Sequence, residues 1–170
     1  MITIHDDFLD DDLLEELKFA YDECDMFTSD EYLDIQNRIN KEGSRTYSQS
    51  STWDGCKRSD NLLSMFPDIG VLIYERLGIY PELMTFFQHT VEAFPQLMTH
   101  GMDIDQHIDE NFERSGVLYL IGCEGQGTTV GEEYVEWKRN RAIAFDAKTS
   151  HNACFGGSNR VSLTFFGKKT

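Results

Sequence analysis

Two histidines and one aspartate in the second half of the chain are residue types that can form a metal site. His107 and Asp109 are separated by a single residue, and His151 follows much later. Two imidazoles and one carboxylate are the ligands of non-haem Fe(II) sites that keep coordination positions open. On a strand, residues two apart point to the same face, so His107 and Asp109 can hold one ion together. His151 completes the set only in a fold that returns a distant strand to the same place.

Further residues follow these three in a particular order. An apolar strand pattern precedes His151, and Arg160 comes nine residues after it on another apolar strand, with Ser162 two positions on. This ordered set resembles the Fe(II)/2-oxoglutarate-dependent dioxygenases, and most closely their prolyl-4-hydroxylase-like branch. The resemblance covers roughly residues 80–166.

The resemblance implies a role for each of these side chains. His107, Asp109 and His151 are expected to hold Fe(II), and Arg160 is expected to bind the remote carboxylate of 2-oxoglutarate. A planar, bidentate and permanently charged guanidinium suits that carboxylate better than an ammonium group does. Ser162 lies on the same strand face as Arg160, so its hydroxyl is expected to add a hydrogen bond.

Two further segments match the family loosely. Tyr119-Leu120-Ile121 stands where the family has a Tyr-Leu-Asn run, whose Tyr hydroxyl also reaches the remote carboxylate. Ile121 departs from that pattern, and a core Tyr is the alternative. The segment 126–130 corresponds to a Gly-Gly-Thr-x-Phe strand with its first and last positions altered. Tyr119 is therefore a third candidate for binding 2-oxoglutarate.

The family's reaction consumes 2-oxoglutarate and O2, releases succinate and CO2, and hydroxylates an unactivated C–H bond. The cofactor complex supplies the reactivity, and the protein supplies positioning and a dry pocket. The resemblance makes a prolyl residue of a peptide or protein the first expected substrate. A free amino acid or small metabolite remains open, and so does a non-catalytic jelly-roll binding module.

Strand patterns dominate the chain after residue 80. Short β-type runs separated by glycine-containing breaks favour a two-sheet jelly roll, after a longer strand over 83–94. The fold class expected is therefore mostly β with N-terminal helices (α+β), built on a double-stranded β-helix core. The short strands are predicted at 96–102, 104–107, 116–121, 126–130, 134–137, 142–145, 152–155 and 160–166.

The first 80 residues indicate helical support for this core within a single domain of 1–170. A short strand at 2–4 precedes a helix capped by the acids that begin at Asp10. Further helices are expected after Ser29 and from Pro67, which suits a first helical turn. The polar, aperiodic segment 43–60 is expected to be a loop, and a lid over the active site is one interpretation of it.

Composition limits the partners and the compartment. The net charge of −15, with thirteen acids and one base in residues 1–34, disfavours nucleic acid and anionic membranes as partners. No stretch is long and apolar enough for a membrane span, so a cytoplasmic protein is expected. The four cysteines form no C-x-x-C pair and are expected to be free thiols. Oligomeric state is left open.

Competing metal sites fit less well. A calcium loop counted from Asp103 would need Gly at position 108 and Glu at position 114, and the chain has Ile108 and Arg114 there. A zinc pair of His151 and Cys154 lacks two partners, a cupin usually has His-x-His, and nucleic-acid dealkylases typically carry a second Arg on the last strand. The other histidines are expected to be surface or core residues without a pairing partner: His5, His89 and His100.

Overall fold

The computed structural model describes residues 1–28, 30–31, 34, 56–59, 62–79, 96–110 and 112–167. The helices are α1 (Asp11–Glu23), α2 (Leu62–Met65) and α3 (Pro67–Ile79). The first five strands are β1 (Thr3–His5), β2 (Lys57–Arg58), β3 (Gln96–His100), β4 (Ile104–His107) and β5 (Arg114–Ile121). The remaining strands are β6 (Thr128–Val130), β7 (Glu133–Val135), β8 (Ala142–Asp146), β9 (His151–Ala153) and β10 (Arg160–Gly167).

Two antiparallel sheets form the core. The larger has the order β1-β8-β5-β10-β3-β2, and the smaller has the order β4-β9-β6-β7. Apolar side chains from both sheets meet between them in one buried cluster, which includes Tyr119 and Phe145 from the larger sheet and Val130 and Val135 from the smaller. This arrangement confirms the mostly β fold class with N-terminal helices and a double-stranded β-helix core.

Strand β10 lies in the middle of the larger sheet and has two different faces. Val161, Leu163 and Phe165 point outward and join the core beneath the helices. Arg160 and Ser162 alternate with them, and their side chains contact residues inside the roll. Because side chains on a strand alternate between faces, one strand serves both the apolar core and a polar interior.

Helix α1 covers the outer face of the larger sheet. Its N-cap is Asp10, whose Oδ1 accepts a hydrogen bond from the Leu13 amide at 2.9 Å. Leu13, Leu14, Leu17 and Ala20 recur at helical spacing and are buried against the sheet. Each buried leucine contributes roughly 1.5–3 kcal/mol relative to exposure. No helix within the described ranges is both long and apolar enough to cross a membrane.

Most predicted strands match the observed ones to within a few residues, and β4 coincides with its prediction. One correction concerns the segment 43–60, where residues 57–58 form β2 and pair with β3 at the edge of the larger sheet. Two residues are too few to produce an alternating pattern, so the sequence predicted a loop there. Residues 43–55 and the predicted strand 83–94 lie outside the described residues, as does most of the second predicted helix. The four cysteines are free, as expected.

Asn140 ties the segment before α1 to the turn before β8. Its side-chain Oδ1 accepts from the Leu9 amide at 2.9 Å, and its Nδ2 donates to the Leu9 carbonyl at 2.7 Å. The backbone of Asn140 is left-handed, with φ of 62°. Both hydrogen bonds are buried, so this side chain fixes where α1 begins on the sheet.

We expect Asn140→Gly to lower the free energy of unfolding by about 2–3 kcal/mol, because two buried hydrogen bonds are lost and the Leu9 backbone is left unsatisfied. Asn140→Ala should lower the free energy of unfolding by roughly 1 kcal/mol more, since alanine also disfavours the left-handed backbone conformation. Urea unfolding with comparison of midpoints at equal slope measures both values. A glycine variant as stable as the wild type would contradict this role.

Candidate metal centre

The register of the smaller sheet brings the two predicted histidine ligands together. His107 ends β4, His151 begins β9, and the two lie directly opposite each other as a cross-strand pair. Their ring centroids are 4.4 Å apart. Asp109 follows two residues after His107, and one ligand atom from each of the three residues lies within 4.8 Å of the others. The three residues therefore form one cluster that could hold a metal ion.

Both imidazoles are held in the orientation that metal binding needs. His107 Nδ1 lies 2.7 Å from the carbonyl of Asp105, and His151 Nδ1 lies 2.8 Å from the carbonyl of Thr149. A carbonyl oxygen only accepts, so Nδ1 of each ring carries the proton and donates it. In the neutral rings Nε2 then has the lone pair, and both Nε2 atoms face the Asp109 carboxylate at 3.8 and 3.2 Å. Backbone carbonyls fix the tautomer of metal-binding histidines in this way.

Asp109 is also held by hydrogen bonds to its carboxylate and to its backbone. Ser115 Oγ donates a hydrogen bond to its Oδ2, and the Asp109 amide donates to the Ala147 carbonyl at 2.9 Å. Lys148 Nζ donates to the backbone carbonyls of Asp109 and Glu110. These contacts come from two separate segments, β5 and the turn after β8, so Asp109 is positioned by the fold rather than by its own loop.

Protonation of the cluster follows from burial and mutual contact. Burial lowers the pKa of His107 below its ordinary value. Burial alone would also lower the pKa of His151, but the protonated ring can donate to both Asp109 and the Thr149 carbonyl, and these hydrogen bonds outweigh burial and raise the pKa. Burial would raise the pKa of Asp109, whereas hydrogen bonds from His151 and Ser115 lower it. Asp109 is thus an anion at neutral pH and can balance part of the charge of a divalent cation.

The donor set fits a divalent transition metal. Two imidazole nitrogens and one carboxylate oxygen from three positions suit Fe(II), and three protein ligands leave coordination sites for other molecules. Among the described residues, these three form the one group of histidine, cysteine or acidic side chains whose ligand atoms lie close enough together to hold a metal ion. The tautomers inferred from the contacts of each Nδ1 with a backbone carbonyl support this assignment independently of the residue types.

Arg160 lies inside the roll, and only 1% of its surface is exposed. Its Nε donates to the Gln126 carbonyl at 2.8 Å, and its Nη1 lies 2.9 Å from Nδ1 of His100. Its Nη2 is 3.5 Å from the Thr128 hydroxyl. The guanidinium also lies over the ring of Tyr119, 5.6 Å from the centroid. The side chain is therefore held in one orientation from several sides.

The charge of Arg160 has no acidic partner in the described part of the chain, where its contacts are a carbonyl, an imidazole, a hydroxyl and an aromatic ring. Burial lowers its pKa, but a guanidinium stays charged at neutral pH. A buried charge without a counter-charge is costly. Nη1 and Nη2 have N–H groups beyond those used in these contacts, so the site can accept an anion.

The other two predicted cosubstrate residues lie beside Arg160. Ser162 Oγ is 3.0 Å from Nε2 of His100. The Tyr119 hydroxyl donates to the Thr128 hydroxyl at 2.8 Å and lies 3.4 Å from the Val135 carbonyl. Burial raises the pKa of Tyr119 to about 12, so its hydroxyl remains a donor at neutral pH. In this structure that hydroxyl is directed at the smaller sheet, while the ring faces the guanidinium.

His100 is a site residue that the sequence did not reveal. The expectation that it has no pairing partner is wrong, because its ring contacts both Arg160 and Ser162. The reason is register: His100 ends β3 directly opposite Arg160 in the larger sheet. The available signal was an imidazole at the end of an apolar strand, which by itself does not identify its cross-strand neighbour.

The metal cluster and Arg160 lie at a distance that a small molecule can span. His151 is paired with Val130 on β6, and Thr128, which contacts Arg160, is two residues away on the same strand. Two residues of strand correspond to about 7 Å. A short dicarboxylate can therefore reach the metal cluster with one end and the guanidinium with the other.

A scan against protein-family models found no match, and a search of curated protein sequences found none either. Solved structures do match over nearly the whole chain. A prolyl-4-hydroxylase of Pseudomonas putida has 15% identity and a TM-score of 0.57, with 99% of this chain and 92% of that chain covered. A Trichoplax adhaerens prolyl hydroxylase, solved with a peptide fragment of the hypoxia inducible factor oxygen degradation domain, has 11% identity and a TM-score of 0.64, with 99% and 83% covered.

A viral collagen prolyl hydroxylase from Paramecium Bursaria Chlorella virus-1, solved with 2-oxoglutarate, has 10% identity and a TM-score of 0.64. That match covers 99% of this chain and 96% of the viral one. Identities this low establish the shared fold alone. The chain has the fold of the prolyl hydroxylases and other 2-oxoglutarate- and Fe(II)-dependent oxygenases.

Proposed function

We propose that this protein is an Fe(II)- and 2-oxoglutarate-dependent dioxygenase that hydroxylates an unactivated C–H bond. The observation that carries the proposal is the buried guanidinium of Arg160, which has no acidic partner among the described residues and lies within reach of the His107, Asp109 and His151 cluster. A permanent buried charge at that position is explained by an anionic ligand. A ligand with a second chelating end accounts for both sites at once.

Each residue then has a specific task. His107, Asp109 and His151 hold Fe(II) through two nitrogens and one oxygen. Arg160 and Ser162 bind the remote carboxylate of 2-oxoglutarate and so orient the cosubstrate. When bound, the iron and 2-oxoglutarate supply the oxidising power of the reaction with O2, which ends in succinate, CO2 and a hydroxylated product.

Apolar side chains surround the buried inner part of the site, at His151 and Arg160, while His107 and Asp109 are partly exposed. Phe145 is buried, and its ring meets His151 edge-on with centroids 4.7 Å apart. Val130 and Ile143 belong to the same buried cluster between the sheets. Water exclusion strengthens the attraction between Arg160 and a carboxylate. It also protects a reactive centre from side reactions.

For the substrate we propose a prolyl residue of a peptide or protein. The support is that several similar folds belong to prolyl hydroxylases, one of them solved with a peptide. Fold similarity is an analogy and not a property of this site. A free amino acid or a small metabolite is therefore the alternative that the experiment must separate from a peptide.

The experiment measures succinate from 2-oxoglutarate with Fe(II) and O2, first alone and then with proline-containing peptides, free amino acids and small metabolites. The expected result is succinate that requires both iron and oxygen, increased by a peptide that gains the mass of one oxygen atom on proline. Stimulation by a free amino acid alone would overturn the prolyl assignment. A protein that makes no succinate and binds neither Fe(II) nor 2-oxoglutarate would be a non-catalytic jelly-roll module.

A further inference from the structure

We propose that His100 is a positioning residue that sets Arg160 and Ser162 as joint donors to the remote carboxylate of 2-oxoglutarate. This inference rests on the proposed function, because it assigns a role within the same cosubstrate site. It is carried by one cross-strand pair in the larger sheet and by the contacts of the His100 ring.

Strand register places the imidazole between the two predicted cosubstrate residues. His100 lies opposite Arg160 in the β3–β10 ladder, and Met98 lies opposite Ser162. The ring of His100 is 6% exposed. Its Nε2 is 3.0 Å from Ser162 Oγ, and Arg160 Nη1 is 2.9 Å from its Nδ1 and 2.6 Å from its Nε2. One ring therefore contacts both side chains.

The chemistry of the neighbours determines the state of the ring. A guanidinium has donors and no acceptor, so its contact with an imidazole is attractive only when a ring nitrogen offers a lone pair. His100 is consequently neutral, with one lone pair and one N–H. Burial and the nearby positive charges of Arg160 and Arg58 lower its pKa in the same direction.

Both contacts of the neutral ring are satisfied in one arrangement. Arg160 Nη1 lies within hydrogen-bond distance of both ring nitrogens, 2.6 Å from Nε2 and 2.9 Å from Nδ1. In the tautomer that has its lone pair on Nδ1, Nδ1 accepts from Nη1 and Nε2 donates to Ser162 Oγ. The Ser162 hydroxyl, having accepted that hydrogen bond, has its own proton to donate elsewhere. Arg160 and Ser162 then present donors to the same space, and that is the requirement for holding a carboxylate.

A neutral partner also preserves the charge of the site. A carboxylate at position 100 would hold Arg160 equally well, but it would neutralise the guanidinium and occupy the N–H groups that a ligand needs. The imidazole engages one nitrogen of Arg160 and leaves the full positive charge for 2-oxoglutarate. The imidazole holds Arg160 less rigidly than an ion pair would, but it leaves the site with a higher affinity for an anion.

The test compares His100→Leu, which removes both ring contacts, with His100→Gln, whose amide has both a donor and an acceptor. Met98→Leu is the matched control, because residue 98 is on the same strand and face and the substitution preserves volume. Titration of the Fe(II)-loaded protein without oxygen gives the affinity for 2-oxoglutarate. The same titration with 2-oxobutyrate gives the affinity of a 2-oxo acid that lacks the remote carboxylate.

We expect His100→Leu to weaken 2-oxoglutarate binding about 10- to 100-fold, which is the range for loss of hydrogen bonds to a charged group. His100→Gln should recover a large part of that loss, and Met98→Leu should bind as the wild type does. Affinity for 2-oxobutyrate should be equal in all four proteins, since Arg160 and Ser162 do not meet that ligand. Fe(II) affinity should also be equal, because His100 contacts none of the metal-ligand residues.

The outcomes separate this inference from the function on which it rests. Wild-type affinity for 2-oxoglutarate in His100→Leu would overturn the role of His100 and leave the proposed function intact. An equal loss for 2-oxoglutarate and 2-oxobutyrate would also overturn it, because general damage to the fold would explain both. Failure of the wild type itself to bind 2-oxoglutarate would reject the proposed function.

Discussion

Replacing His151 with alanine should abolish Fe(II)-dependent turnover of 2-oxoglutarate and weaken Fe(II) binding more than about 100-fold, since loss of supporting contacts alone weakens metal sites roughly 10- to 100-fold. His151 supplies one of three ligands, and its Nε2 faces Asp109 at 3.2 Å. Without it, two ligands remain and the cation is exposed to water. Anaerobic titration with Fe(II), followed by a succinate assay, measures both effects.

The control for this prediction is Asn152→Ala. Asn152 is the next residue on β9, so its side chain points to the opposite face of the strand. We expect that variant to bind Fe(II) and to produce succinate as the wild type does. Fe(II) binding of wild-type strength in His151→Ala would show that the metal is held elsewhere.

Replacing Arg160 with methionine should strongly weaken 2-oxoglutarate binding while leaving the protein folded. Because Arg160 has no acidic partner among the described residues, its removal leaves no opposite charge buried and uncompensated. Methionine has no donor for a carboxylate, so affinity for 2-oxoglutarate should fall more than about 100-fold, as for loss of a bidentate charged contact. The affinity of Arg160→Lys for 2-oxoglutarate should fall less, because an ammonium retains the charge without the planar geometry.

Thermal unfolding provides a direct measurement of this effect. A ligand that binds the folded state alone raises the unfolding temperature, and the stabilisation grows with the logarithm of the ratio of ligand concentration to Kd. With Fe(II) present and oxygen excluded, 2-oxoglutarate should raise the unfolding temperature of the wild type and raise that of Arg160→Met much less, because only its 2-oxo acid end still binds. The control is 2-oxobutyrate, which should act on both proteins equally. A wild-type response in Arg160→Met would remove Arg160 from the site.

The parts of the site that alternate on strands could be predicted from the sequence. His107 and Asp109 are two apart at a strand end, and Arg160 and Ser162 are two apart within a strand, so each pair shares a face whatever the rest of the fold does. The apolar runs around them predicted the strands themselves. Joining these pairs to His151 required the resemblance to a known family, because no local pattern encodes contact between distant strands.

The parts that depend on register could not be predicted. His100 and Arg160 are 60 residues apart in sequence and meet because β3 and β10 pair at that position. The short strand β2 was not predicted, because a two-residue segment can pair with the edge of a sheet without an alternating apolar pattern. The tautomers of His107 and His151 depend on carbonyls of neighbouring turns, and these are backbone groups that a sequence does not distinguish.

The two faces of β10 have a consequence for how this protein can vary. An insertion or deletion of one residue directly after Arg160, within β10, would move Arg160 to the outer face of the strand, into the hydrophobic core beneath the helices. The exposed turn between β9 and β10 can absorb a change in length without this inversion. The turn contains Gly156 and Gly157, both with left-handed backbones. Natural relatives should therefore preserve the spacing of Arg160 and Ser162 within β10 strictly, while insertions should accumulate in this turn and in other loops.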